Sequence, residues 1–261
     1  MLLTQPTAAN DWDDCFEAFA LADLIDGCTA LIESSDLQPW QRAMALNNRA
    51  SARVQQNDLD AAEHDYTHAI ETDPHYAKAY YNRGTLRLNQ RRLREAVQDF
   101  TLALSFDAGM AGALHNRGVA LEQMGRLDLA LSDFNETLRL APAMSSALNN
   151  RGVVLRRLGR LDEALLDFSA VLSASPNDAR ALNNRAKTLI LLGRHQEAES
   201  DADRALAAWP DYADGYATRG DARRRLGRPA EARDDYERAI ALDSANTIAV
   251  EGLAAVGPRP R

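Results

Sequence analysis

Lysine is almost missing from this 261-residue chain, since only Lys78 and Lys187 are lysines among 30 basic side chains. Acidic side chains are in excess and bring the net charge to −8, which disfavours general binding to nucleic acid or anionic lipid. Long apolar runs are missing too, and without roughly 18 consecutive apolar residues no membrane insertion is expected. Residues 1–10 carry neither the basic nor the apolar segment of a signal peptide, so the sequence as it stands predicts a cytoplasmic protein.

The chain also lacks the residue patterns of catalytic and metal sites. Its two cysteines, Cys15 and Cys28, do not form a C-x-x-C motif, and no further cluster completes a zinc site. His64 and His68 have helical spacing, but no third ligand accompanies them, so we interpret them as a surface pair. No glycine-rich phosphate loop or nucleophile elbow occurs. The sequence therefore predicts no catalytic residue, no metal and no cofactor, and hence no enzyme.

Repetition is what the chain does have. The pentapeptide Ala-Leu-Asn-Asn-Arg stands at 45–49, 147–151 and 181–185, with close variants in between. Its second Asn recurs at a constant step of 34 residues, at Asn48, Asn82, Asn116, Asn150 and Asn184. A fixed period of this length is the signature of a stacked array of repeats.

The period divides the chain into six repeats with flanking segments. The repeats, numbered 1 to 6, are 43–76, 77–110, 111–144, 145–178, 179–212 and 213–246. Before them we place a flexible leader at 1–10 and an N-terminal helical cap, a degenerate repeat, at 11–42. After them we place a short capping helix at 247–256 and a frayed tail at 257–261.

Each repeat has the pattern of a helix, a turn and a second helix. Position 8 is Gly or Ala, position 20 is Ala in all six repeats, and position 24 is aromatic in five. The turn at position 15 carries glycine in four repeats, which suits a left-handed helix end. Asn57 adopts that conformation readily in repeat 1, whereas Arg91 does not, so a strained or different turn is expected in repeat 2.

Together these positions resemble the tetratricopeptide repeat family over about 204 of the 261 residues, in a form typical of bacterial proteins. The resemblance implies an all-α fold, an α-solenoid of antiparallel helix pairs forming a right-handed superhelix. It also implies that the first helices line a concave groove that binds a peptide or a partner protein. Because no repeat can bury its own apolar face, stability is expected to come mostly from contacts between repeats.

Two further positions are periodic, with Arg at position 7 and Asp at position 23 of every repeat. They are Arg49, Arg83, Arg117, Arg151, Arg185 and Arg219, and Asp65, Asp99, Asp133, Asp167, Asp201 and Asp235. These positions lie at the same height in an antiparallel hairpin, which predicts an ion pair in every repeat, within it or across to its neighbour. We interpret the pairs as structural; the alternative is that the Arg side chains bind ligand carboxylates in the groove.

Position 6 places one Asn of each of the first five repeats in the predicted groove. A primary amide offers a donor and an acceptor, the complement of a peptide group, so the row can hold an extended chain by its backbone. The row resembles the asparagine ladder of the repeat superhelix in O-linked N-acetylglucosamine transferases, although Thr218 departs from it in repeat 6. The alternative is that these amides bond only within the layer of first helices.

Cations occupy other groove positions, at Lys78, Arg156, Arg157, Arg180, Lys187 and Arg224. Asp214 and Asp221 oppose them. A basic stretch in the groove of an acidic chain predicts an acidic peptide as ligand, and the alternative is a run of solvated Arg without a ligand. The carboxylate clamp of some tetratricopeptide domains needs Lys at position 5 and Arg at position 6, which no repeat has, so that function is not predicted.

The predicted function is a non-catalytic interaction module that binds an extended, acidic peptide or a partner protein in the groove. One alternative is an assembly protein that self-associates through the array ends, where Ile248, Val250, Leu253 and Val256 form an apolar face. Another is an adaptor that delivers clients to a separate enzyme. The sequence is compatible with a monomer or a weak homo-oligomer.

The two cysteines have a second resemblance. Residues 11–15 and 27–32 resemble the leader of some exported bacterial tetratricopeptide proteins, in which two Cys lie about this far apart. That resemblance implies a disulfide stapling the cap, and a periplasmic location if the true start lies upstream of Met1. The alternative is two buried thiols in a reducing cytoplasm, which is the default interpretation.

Overall fold

The computed structural model describes residues 8–17 and 20–257. The predicted leader before residue 8 and the predicted tail after residue 257 lie outside the described residues. In the described part every regular element is an α-helix, so the predicted all-α fold is confirmed. The helices are α1 (Ala8–Glu17), α2 (Leu21–Glu33), α3 (Pro39–Gln55), α4 (Leu59–Thr72), α5 (Ala77–Asn89), α6 (Leu93–Phe106), α7 (Ala111–Gln123), α8 (Leu127–Leu140), α9 (Ser145–Arg157), α10 (Leu161–Ala174), α11 (Ala179–Leu191), α12 (His195–Ala208), α13 (Ala213–Arg225), α14 (Pro229–Leu242) and α15 (Thr247–Val256).

The helices form two compact units, which we call the N-terminal unit (Met1–Leu140) and the C-terminal unit (Ala141–Arg261). Each repeat supplies a first and a second helix, from α3 and α4 in repeat 1 to α13 and α14 in repeat 6. Within each unit, successive first helices contact one another, whereas no two second helices do among the helices that the structure describes. The first helices are therefore the inner side of each unit, and we call their shared face the inner surface.

Two helix starts differ from the sequence expectation. Helix α1 already includes Ala8 to Asn10, which the sequence assigned to the leader. Helix α3 begins at Pro39 rather than in repeat 1, because proline is favoured in the first turn of a helix. The side chain of Gln41 also accepts a hydrogen bond from the backbone N–H of Gln38 at 2.9 Å, which caps this start.

The core of each unit consists largely of small residues that pack against aromatic rings. The Ala at position 20 is completely buried in all six repeats, and so is the ring of Phe168 one turn later in repeat 4. A Cβ built on Gly152 would lie 2.7 Å from Cε1 of Phe168, so glycine at position 8 lets the first helix rest on the ring. Repeat 5 has Ala186 at that position, where the facing residue is Ala202 and carries no ring.

The turns between paired helices share one conformation. Gly125, Gly159, Gly193 and Gly227 have φ of 74–78°, in the left-handed region. Asn57 and Arg91 take the same conformation, with φ of 63° and 62°. Repeat 2 therefore keeps the common turn, and Arg91 carries the strain of a side chain held at positive φ.

Candidate functional site

Every repeat joins its two helices through the Arg at position 7. The Nε and Nη2 atoms of each Arg donate to the carboxylate of the Asp at position 23 of the same repeat, at distances of 2.6–3.2 Å. The Asp side chains are at most 8% exposed. A forked pair on a buried carboxylate leaves the guanidinium few free donors, which favours the structural interpretation over ligand binding.

The same Arg also reaches the preceding second helix, a contact that sequence reasoning missed. Arg83 donates through Nη1 to Oγ1 of Thr67 at 3.1 Å, while its other nitrogens hold Asp99. In the C-terminal unit Arg185 likewise donates to Oγ of Ser169 at 3.3 Å. The sequence signal for this contact was a polar residue at position 25 of successive repeats. Each of these Arg side chains therefore ties together two second helices that do not contact each other directly.

Larger charge networks occur in repeats 2 and 6. Arg87 bridges Glu63 of repeat 1 and Asp99, with Nε 2.9 Å from Oε1 of Glu63 and Nη1 2.9 Å from Oδ2 of Asp99. Arg223 bridges Glu199 and Asp235 in the same way, at 2.8 and 2.9 Å. The hydrogen bond from Arg92 holds the pKa of Glu63 below its ordinary value of 4.5, against the effect of burial.

The position-6 asparagines lie on the first helices and are half-buried. Asn82 donates through Nδ2 to Oδ1 of Asn47 at 2.8 Å, and Asn184 donates to Oδ1 of Asn149 at 3.0 Å. In both cases the acceptor is the position-5 Asn of the preceding repeat. These bonds orient the amides of Asn82 and Asn184. Each bond uses one of the two N–H donors of the amide, so these two side chains bond within the layer of first helices through one donor each.

The remaining members of the row have different neighbours. Asn116 donates to Oγ1 of Thr85 at 3.3 Å, and its Oδ1 lies 3.2 Å from Nδ1 of His115. Asn48 donates to the backbone carbonyl of Cys15 at 3.5 Å, which is a long contact. The row is therefore not uniform, because the residue at position 5 changes between repeats.

Two of the predicted groove cations are neutralised by neighbouring aspartates. Nζ of Lys187 lies 3.1 Å from Oδ2 of Asp214, and Nη2 of Arg224 lies 2.6 Å from Oδ1 of Asp221. The Arg224 pair is three residues apart on one helix and was visible in the sequence. The cationic character of the inner surface is thus weaker than a count of basic side chains suggests.

The other cations differ in exposure. Lys78, Arg157 and Arg180 are exposed, whereas Arg156 is half-buried. Within the described part of the chain, Nε of Arg156 is buried without a hydrogen-bond partner. Burial and the neighbouring Arg157 together lower the pKa of Arg156.

The N-terminal cap is closed by a disulfide, where the default interpretation of the sequence had two thiols. Sγ of Cys15 in α1 and Sγ of Cys28 in α2 are bonded at 2.02 Å, and both residues are completely buried. Gly27 permits the approach, because a Cβ there would lie 2.9 Å from the backbone nitrogen of Cys15. Packed around the bond are Trp12, Phe16 and other apolar side chains.

At the C-terminal end, α15 packs on repeat 6 with part of its apolar face. Leu253 and Val256 contact the cluster around Tyr236, while Ile248 and Val250 are 39% and 47% exposed. Among the helices that the structure describes, none is long and apolar enough to cross a membrane. The described residues also contain no group of three or more side chains placed to hold a metal ion.

Sequence models of the tetratricopeptide repeat match most of the array. One model matches residues 47–112 and 115–179, and a second matches residues 177–245. Among proteins with curated functions, none matches the chain.

Solved structures share the fold at low sequence identity. A tetratricopeptide repeat protein from Parabacteroides merdae is 20% identical with a TM-score of 0.68, over 95% of this chain and 96% of that one. PilW, a type IV pilus biogenesis factor, is 20% identical with a TM-score of 0.71, over 83% of this chain and 98% of that one. YrrB, described as having an unusual peptide-binding site, is 22% identical with a TM-score of 0.58, over 71% of this chain and 96% of that one.

Proposed function

The chain belongs to the tetratricopeptide repeat family, whose members generally mediate protein–protein interaction, and from this we propose that it binds an extended segment of a partner protein along its inner surfaces. It does so without catalysing a reaction. The observation that carries the proposal is the row of half-buried amides at position 6. An adaptor that delivers its partner to a separate enzyme would use the same surfaces.

The oriented amides support backbone recognition. In Asn82 and Asn184 one N–H is held by the preceding repeat, which leaves the second N–H and the carbonyl oxygen for a ligand. A peptide group presents the complementary acceptor and donor. Because their orientation is already held by the protein, these amides lose little conformational freedom when a peptide binds.

The charges favour an acidic segment. The chain is acidic as a whole, yet Lys78, Arg156 and Arg180 form no ion pair in the described structure. Unpaired cations on a binding surface attract acidic side chains and repel basic ones. We therefore propose peptides with Asp or Glu as the preferred ligands.

The disulfide favours an oxidising compartment as the place of action. A buried bond between Cys15 and Cys28 persists where thiols are not kept reduced, and the reducing cytoplasm disfavours it. We propose this location in place of the cytoplasm that the sequence favoured.

A displayed library of random linear peptides tests the binding proposal. The parent should enrich peptides, and the double variant Asn82→Ala, Asn116→Ala should lose roughly tenfold or more of the affinity for them, as expected for lost hydrogen bonds. Asn47→Ala is the matched comparison and should lose less affinity than the double variant, because it breaks only the bond that orients Asn82 and removes a completely buried side chain that no peptide can contact. Equal binding by the parent and the double variant, both with intact helicity, would show that the row is structural only.

Self-association is a second candidate, favoured by the exposed Ile248 and Val250 on α15. The mass of the protein in solution tests it. A dimer that Ile248→Ser with Val250→Ser converts to a monomer supports this candidate, and a parent that is already monomeric removes it.

A further inference from the structure

Arg156 differs from the other shielded arginines of the protein. In residues 8–17 and 20–257, every other arginine that is not exposed has a hydrogen-bond or ion-pair partner, and Arg156 has none. Its Nε is buried and unpartnered. Removing a cation from water without a partner is costly, so such an arrangement is expected where a ligand supplies the missing charge.

Repeat 6 provides an internal comparison. Arg224 occupies the same repeat position as Arg156, and its Nε is buried and unpartnered as well. However, Nη2 of Arg224 donates to Oδ1 of Asp221 at 2.6 Å, and this bond raises the pKa of Arg224, whereas that of Arg156 is lowered. The residue of repeat 4 that corresponds to Asp221 is Val153. Both repeats thus have Arg at this position, and a carboxylate lies three residues before it in repeat 6 but not in repeat 4.

We propose that Arg156 is the residue by which the C-terminal unit selects acidic ligands. Arg156 binds one carboxylate of the partner segment, and this carboxylate lies beside Arg156 as Asp221 lies beside Arg224. This inference rests on the proposed function and adds which residue sets the preference. A guanidinium offers a planar fork of donors that matches a carboxylate, and partial burial strengthens the interaction relative to an exposed lysine or arginine. Arg180, which is exposed, contributes only to the general positive potential.

The test uses the same displayed library of random linear peptides. The parent should enrich peptides that carry Asp or Glu at one fixed position, and Arg156→Gln should lose that preference while still enriching peptides. Val153→Asp should lose it too, because the new carboxylate occupies Arg156 from within. Arg204→Gln is the control and should keep the preference, because Arg204 is exposed and lies on the second helix α12 rather than on the inner surface.

Resynthesised peptides measure the size and source of the effect. Changing the selected Glu to Gln should weaken binding to the parent by roughly tenfold or more and leave binding to Arg156→Gln unchanged, as expected for a charge pair shielded from water. Amidating the C-terminus instead distinguishes a terminal carboxylate from a side-chain one.

Three results would overturn the inference. If the parent enriches peptides without any fixed acidic position, the role of Arg156 is wrong but the proposed function stands. If the parent enriches no peptide, both the role of Arg156 and the proposed function are contradicted. Thermal stability gives the second measurement: Arg156→Met should melt no lower than the parent, because Arg156 has no partner to lose, whereas Arg151→Met should melt lower. A lower Tm for Arg156→Met would mean that an internal partner exists.

Discussion

Arg117 and Asp133 form a forked ion pair in which Nε and Nη2 each lie 2.8 Å from a different carboxylate oxygen. Their helices, α7 and α8, are consecutive in the chain and antiparallel, and the carboxylate is almost inaccessible to water. The same pair recurs in every repeat, so one arrangement sets the register of the two helices within each of the six repeats.

Replacing Asp133 by Ala should lower the free energy of unfolding by about 2–4 kcal/mol, because Arg117 loses both acceptors and stays partly buried. Chemical denaturation measures this. Ser132→Ala on the same helix is the control, since Ser132 is exposed and should cost little. Equal stability of Asp133→Ala and the parent would contradict a structural role for the pair.

Gly152→Ala should destabilise the protein by about 1–3 kcal/mol, although alanine is the better helix former by about 1 kcal/mol. The new Cβ would lie 2.7 Å from Cε1 and 2.8 Å from Cζ of Phe168. The cost should shrink or change sign in a Phe168→Leu background, because the smaller side chain leaves room, as Ala202 does opposite Ala186. A double-mutant cycle measures this coupling, and additive effects would argue against the clash.

Arg91→Gly should stabilise the protein by about 0.5–1 kcal/mol, because glycine adopts the left-handed turn without strain. Arg91 has a φ of 62°, close to the glycines in the same position of repeats 3 to 6. Arg91→Ala separates the backbone effect from the loss of the side chain, since alanine keeps the strain. Thermal melting should therefore rank glycine above the parent and alanine at or below it.

Glu63→Gln should lower stability at neutral pH by about 1–3 kcal/mol, because Arg87 and Arg92 lose their charged acceptor. The pKa of Glu63 is lowered in the folded protein, so its contribution is complete above the ordinary pKa of 4.5 and is lost as the pH falls through the folded value. Stability of the parent and the variant, measured from pH 7 down to about pH 3, should thus converge in acid.

Glu71→Gln is the matched control for this pH series. Glu71 lies on the same helix, is exposed, and has no ion pair within the described chain. Its substitution should leave the pH profile of the parent unchanged. A Glu63→Gln variant whose deficit stays constant from neutral to acid pH would contradict the charge network.

The disulfide predicts that denatured, unreduced protein from the native host has no reactive thiol and that reduction releases both. Reduction should also lower the stability of the N-terminal unit by about 3 kcal/mol, the value expected for closing a loop of this length. The variant Cys15→Ala, Cys28→Ala should not respond to reductant. Two reactive thiols before reduction would show that the bond does not form in the host.

Much of the scaffold could be predicted from the sequence because each position of the repeat occurs several times, so its residue preference can be read directly. Arg at 7 and Asp at 23 are sixteen residues apart in every repeat, and a hairpin of known length brings them to the same height. The contact from Arg83 to Thr67 was missed although it obeys the same period, because it crosses between repeats and no hairpin geometry points to it.

The candidate site was harder to predict because its chemistry depends on small differences in side-chain reach. Lys187 was expected to attract an acidic ligand, but it lies close enough to Asp214 of the next repeat to form an ion pair. Asn82 was expected either to bind a peptide or to bond within the helix layer, and Asn47 takes one of its donors. Spacing in the sequence does not show which of several nearby partners a flexible side chain reaches.

The sequence by itself determined the all-α repeat architecture and the positions of the helix pairs, because helix periodicity, turn glycines and the fixed period are local properties of the chain. Only the tertiary structure decided which charges are compensated, which amides keep a free donor, and that Cys15 and Cys28 are bonded. Those outcomes depend on distances between side chains of different helices, where about one ångström separates a hydrogen bond from an unpaired group.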